Sequence, residues 1–133
     1  GLSKALLGDG QVSAWCAAGL LDEEREVTLR SASVGDVGAI AIAQRLREEC
    51  HSLDLYGNSI TGGGCEALGR IDAAINLQSL SLAKNGLTDS SVIKLCQGLS
   101  RESAPQLRKL SLAENQISRG GRAVGGMLKT QKQ

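Results

Sequence analysis

The sequence predicts a short, curved α/β solenoid of about four strand–helix repeats, with a parallel sheet on its concave face and a helix at its N-terminal end. Three observations carry this expectation. A block of the form LxLxxNx[LI] occurs three times, the stretches between blocks place apolar residues at helical spacing, and the chain has one Trp, one Tyr and no Phe. A core without Phe is assembled from Leu, Ile, Val and Ala, in thin regular layers rather than round one bulky centre. At 133 residues, 41% hydrophobic and 22% charged, the chain holds one domain's worth of material and can bury a core.

The blocks begin at Leu53, Leu80 and Leu110, and a weaker copy begins at Val27, with Ala32 where the others have Asn. Successive copies start 26, 27 and 30 residues apart, and Cys50, Leu77 and Leu107 stand three residues before the good ones. In LxL the two leucines point to one side of a short strand and the residue between them to the other. The chain then turns at the Asn, whose amide can satisfy backbone groups that burial would leave without partners. In the second half of the copies, Gly38, Ile42 and Leu46, and again Ser91, Leu95 and Leu99, lie four residues apart on one helical stripe facing the sheet. The small residue opening each helix (Gly38, Gly64, Ser91, Gly121) suits close approach. Charges such as Glu66, Arg70 and Lys94 fall elsewhere on these helices.

Upstream, Val12, Trp15, Cys16, Gly19 and Leu20 follow a helical period over residues 11–24, as the helix of a degenerate earlier coil serving as a partial cap. The expected divisions are an N-terminal helical segment at 1–26, repeats at 27–52, 53–79, 80–109 and 110–129, and a polar tail at 130–133. Glu102 to Pro105 reads as an expanded loop between the third and fourth copies.

This pattern resembles the leucine-rich repeat, LxxLxLxxNxL, and its period and helical second half are similar to the ribonuclease-inhibitor type. The resemblance covers about residues 24–129. It implies a ladder of asparagines from one coil to the next, formed here by Asn58, Asn85 and Asn115, since Ala32 has no amide. It also implies a concave face that grips a partner protein through aromatic and charged anchors. The outward strand positions make that face a Ser/Ala strip edged by Arg30, Asp54, Tyr56, Lys84, Lys109 and Glu114, with Tyr56 its only aromatic anchor.

Several chemistries lack their residues. Gly62-Gly63-Gly64 is not followed by the GK[ST] of a phosphate loop and reads as the start of a helix. His51 and Ser52 would face opposite sides of a strand, so no relay forms with Asp54. The four cysteines contain no CxxC pair and His51 is the only His, so no metal or cofactor is expected. The cysteines read instead as reduced, buried thiols of an intracellular protein. The longest run without a polar side chain, Val37 to Ala43, has seven residues, far below a membrane span, and the start GLSKALL lacks the features of a secretory signal. Nucleic acid is a poor partner for a chain with almost no aromatics to stack on bases.

The expected function is therefore a non-catalytic protein-interaction scaffold, a small structural subunit of a larger assembly; the alternative is a free recognition or regulatory module. Residues 1–72 carry a net charge of −5 and residues 73–133 one of +6, so the basic end is expected to meet an acidic partner surface. No amphipathic capping helix follows Met127-Leu128, so Leu110, Leu112, Ile117 and Val124 are expected to be partly uncovered at a C-terminal docking edge. The candidate partner-binding residues are Arg108, Lys109, Arg119, Arg122 and Lys129 at that edge, with Arg30, Asp54 and Tyr56 on the concave face.

Overall fold

A strand that alternates inward leucine with outward polar residue writes two faces, and stacking copies of it extends both. The structure, a computed structural model, describes residues 2–3, 16, 19, 24–46, 48–70, 76–99 and 106–118. Its elements in order are β1 (Leu2–Ser3), β2 (Glu26–Thr28), α1 (Gly35–Arg45), β3 (Ser52–Asp54), α2 (Gly62–Gly69), β4 (Ser79–Ser81), α3 (Asp89–Gly98) and β5 (Lys109–Ser111). All five strands are parallel and lie in sequence order, which makes the chain a short α/β solenoid. Val27, Leu53, Leu80 and Leu110 stand abreast in the sheet, and so do Glu26, Ser52, Ser79 and Lys109.

The inward leucines and valines of β2, β3 and β4 are fully buried, together with Ala39 and Ile42 of α1, Leu68 of α2 and Val92 and Leu95 of α3. Leu110 and Leu112 of the last described coil are only half-buried against this core, while Ile117 is buried. Strand pairing continues past each strand: Leu29 N–H donates to Asp54 at 2.9 Å and Ser31 N–H to Tyr56 at 2.8 Å, and the pattern repeats in the next two coils.

β1 adds a strand that the sequence pattern did not announce, inside the segment expected only as a helical cap. It pairs Leu2 with Val27. At the same offset, Lys4, Leu7 and Asp9 occupy the positions of Leu29, Ala32 and Val34, so the repeat signature is erased there. Cys16 is helical and buried, and the N–H of Gly19 in the following turn donates to its carbonyl at 3.1 Å. Val12, Trp15 and Leu20 of that predicted helix lie outside the described residues, as do the loop at 102–105, Gly121, Val124 and the tail.

After β2, β3, β4 and β5 the chain turns through a left-handed residue at one fixed place: Ser31 (φ 51°), Gly57 (71°), Lys84 (54°) and Glu114 (56°). The residue immediately after it in the last three of these coils is an asparagine. Asn58 Oδ1 accepts from the N–H groups of Ala32 (2.8 Å) and Val34 (3.2 Å) in the preceding coil, while its Nδ2 donates to Leu29 O at 2.7 Å. Asn85 repeats this one coil on, accepting from Asn58 and Ile60 and donating to Leu55, Leu82 and Ala83. Asn115 accepts from Asn85, Gly86 and Leu87 and donates to Leu82, Leu112 and Ala113.

A second set of cross-coil bonds joins the helices. The carboxylate of Asp36, in the first turn of α1, accepts from Thr61 N–H (2.7 Å), the Thr61 hydroxyl and Gly64 N–H (3.0 Å) at the start of α2. Asp89 in α3 does the same for the N–H and hydroxyl of Ser118. Between them, Gly62 stands where an Asp would be, and α3 uses its own capping box of Thr88 and Ser91. Helix packing is also tight. A Cβ on Gly64 would come within 2.6 Å of Ile60 Cγ2, and one on Gly98 within 2.1 Å of the Gly69 carbonyl oxygen, so α2 and α3 touch backbone to backbone.

Two outcomes follow from this arrangement. Leu82→Ala should cost about 2–5 kcal/mol and Asn85→Ala about 1–3 kcal/mol, whereas Ser81→Ala on the outward face should cost less than about 0.5 kcal/mol. Equal denaturant midpoints for the three variants would contradict the register. The second concerns pH. Burial pushes the Asp36 carboxyl up, but the bonds from Thr61 and Gly64 outweigh it and hold the group below its ordinary 3.8. Its stabilising contribution is thus fully present above that value and is lost as pH falls below it. Melts along an acid series should show the decline, and Asp36→Asn should flatten it.

Candidate protein-binding face

The outward strand residues form a groove of about 390 Å³ whose lining includes Arg30, Ser52, Asp54, Tyr56, Ser79, Ser81, Ala83, Lys109, Ser111 and Glu114. Strand register decides which of them meet. Thr28, Asp54, Ser81 and Ser111 share one row across the sheet, and the next outward row is Arg30, Tyr56, Ala83 and Ala113.

Tyr56 is the centre of the upper row. Its hydroxyl donates to Glu114 Oε2 at 3.1 Å, two coils away. The Arg30 guanidinium lies over its ring at 4.4 Å from the centroid, and Lys84 Nζ approaches to 5.9 Å. Asp54 binds the base of the cluster, with Arg30 Nε at 3.7 Å and the Tyr56 N–H at 3.1 Å. To reach Glu114, the tyrosine must cross the intervening coil at Ala83. Ala83, placed among the outward positions, is only 6% exposed. Two of the charges on this network, Lys84 and Glu114, occupy left-handed turns that cost a non-glycine residue roughly 1–2 kcal/mol. Such positions are often held for function.

Of the residues singled out in the sequence, Arg30, Asp54 and Tyr56 therefore form one network. Lys109 lines the same groove at its other end, beside Ser79. Arg108 is exposed and does not line it. Arg119, Arg122 and Lys129 lie outside the described residues. Spacing alone could not show that Glu114 takes the Tyr56 hydroxyl, because the pair is separated by 58 residues. Among the described residues no cluster of three or more His, Cys, Asp or Glu could hold a metal ion.

A profile of the family described as leucine-rich repeat matches residues 51–69 and 73–96, which carry the two middle strands of this groove. Ribonuclease inhibitor of Sus scrofa is 31% identical over 101 residues, which make up 73% of this chain. The chain is a leucine-rich-repeat protein. Its repeats are of the ribonuclease-inhibitor-like type, and it spans 22% of that relative's length. Among solved structures, the actin-binding site 2 segment of leiomodin-1 superposes with a TM-score of 0.64 at 12% identity, over 92% of this chain and 87% of that one. That likeness is one of fold.

None of the four cysteines of this leucine-rich-repeat chain is in a disulfide, and Cys96 is the most accessible of them. Burial pushes the Cys50 thiol up to about 11, with a backbone hydrogen bond of Ser52 acting the other way. Burial pushes Cys65 up to about 12, aided by Asp36 and Cys96 and opposed by Lys94. Burial also raises Cys96. Iodoacetamide at neutral pH should therefore modify Cys96 ahead of Cys50 and Cys65, and all of them once denaturant is added. Peptide mass mapping that found Cys65 reacting as fast as Cys96 would contradict this packing.

Proposed function

We propose that the chain is a non-catalytic protein–protein interaction module that holds a partner in its concave groove, as a small structural subunit of a larger assembly. The observation that carries the reading is the Tyr56 network: an aromatic anchor fixed between Arg30, Lys84 and Glu114 on an otherwise smooth strip of Ser and Ala. Two of the proteins it is similar to carry names that speak of holding another protein, a ribonuclease in one case and actin in the other. The net charge of +6 over residues 73–133 favours an acidic partner. A place within an assembly suits the convex side, where Val37 (75% exposed), Ile40 (39%) and Ile93 (42%) leave large apolar side chains on α1 and α3 for neighbours to cover. Thiols outside any disulfide suit a reducing, intracellular setting. No helix among the described residues is long and apolar enough to cross a membrane.

The test is a photoreactive amino acid placed at Ser81 in the groove floor, activated in native lysate. It should give one discrete cross-linked protein, and Ser111→Arg, which plugs the groove, should abolish that product without lowering the melting midpoint. An unchanged product in the plugged variant would show that the groove is not the binding face. Size exclusion of the same lysate should place the chain in a larger assembly; elution as a simple pair with one partner would favour the free regulatory module.

A further inference from the structure

The floor of the groove holds polar groups that its walls leave unused. Ser52, Ser79, Ser81 and Ser111 are half-buried on neighbouring strands, with Ser52 beside Ser79 and Ser81 beside Ser111. Among the described residues, none of these four hydroxyls has a hydrogen-bond partner. Each is a donor and an acceptor without an intramolecular use among the described residues. Ser79 and Ser81 recur at every second residue of β4, a period of about 6.6 Å. An extended polypeptide presents the amides of one edge at that same period, so a chain laid along the strand meets the hydroxyls in step. Ala83 and Ala113 beyond them add no bulk that would lift it away.

The charges of the groove are not equally available. Asp54 is held by Arg30 at 3.7 Å and by the Tyr56 N–H, and Glu114 by the Tyr56 hydroxyl. Lys109 is exposed and has no carboxylate partner among the described residues. The groove charge not already engaged is therefore the positive one of Lys109, and it stands at the end of the floor opposite Tyr56. From Lys109 to Ala113 the floor runs for about 13 Å, the length of a short extended segment.

Resting on the reading of the concave face as the binding site, we propose that its partner is an extended acidic segment of another polypeptide. The segment lies along β4 and β5, with main-chain amides on the serine hydroxyls, a carboxylate on Lys109, and its other end against Tyr56. The network of Arg30, Asp54, Tyr56 and Glu114 then acts as a wall that fixes where the segment stops.

The proposal is tested by selecting random short linear peptides from a display library against the whole chain. Acidic peptides should be enriched, and Lys109→Glu should weaken them about tenfold or more. Because Lys109 is exposed, the melting midpoint of that variant should not move. Repeating the selection on Lys109→Glu should replace the acidic residues by Lys or Arg, a reversal that a merely structural role would not produce. Enrichment of acidic peptides that bind the Ser111→Arg plugged chain equally well would overturn the concave-face reading itself. Peptides lost on plugging but without acidic bias, acidic peptides still selected by Lys109→Glu, or no enrichment at all would overturn this inference alone.

Discussion

Each coil of the chain must reverse direction beside a dry layer of leucine, and the reversal leaves backbone N–H and C=O groups that neither strand nor helix can pair. The asparagine amide answers both needs at once, because it carries an acceptor and two donors on one short side chain. Asn58, Asn85 and Asn115 each take N–H groups from the coil before and return their own N–H to its carbonyls. The buried leucines depend on this, since an unpaired polar group in the same layer would cost about 1–3 kcal/mol. So does strand register: a slip of one residue would take the amides out of reach and turn the leucines outward.

The binding face is a by-product of that constraint. Once the leucines are fixed inward, the residues between them align in rows across the sheet, and distant parts of the chain become neighbours. Arg30, Tyr56 and Glu114 meet only because four coils are stacked in register. The left-handed turn that follows each strand then decides where the rim stands. In two coils it carries a charged residue, Lys84 or Glu114, where Gly57 serves without strain in a third.

Much of this was legible in the sequence, and the boundary has physical causes. Leu53, Leu80 and Leu110 announce the sheet because the same chemistry recurs at nearly the same interval. β1 was illegible, for at its coil the second leucine position is Lys4 and the asparagine position Leu7. The carboxylate bonds between helices were illegible too, because Asp36 and Asp89 flank a coil that has Gly62 at that place, and two of three is no pattern. On the groove, residue types named Arg30, Asp54 and Tyr56, but only the fold could set the tyrosine across Ala83 onto Glu114. The basic residues Arg119, Arg122 and Lys129 were read from charge alone and stand beyond the described residues.

The backbone contact between Gly69 and Gly98 reaches further than the two helices it joins. A solenoid bends because its helices need about 8–10 Å each while its strands need about 4.8 Å, so the outer arc is longer than the inner one. Wherever two helices come closer than usual, the two arcs become more nearly equal and the sheet opens. By this geometry the close approach of the two glycines works against bending of the stretch of sheet that carries Ser52, Ser79 and Ser81, and a methyl group added there would press the helices apart and favour a sharper bend. The width of the binding surface is set from the far side of the molecule, by two residues that no ligand would touch.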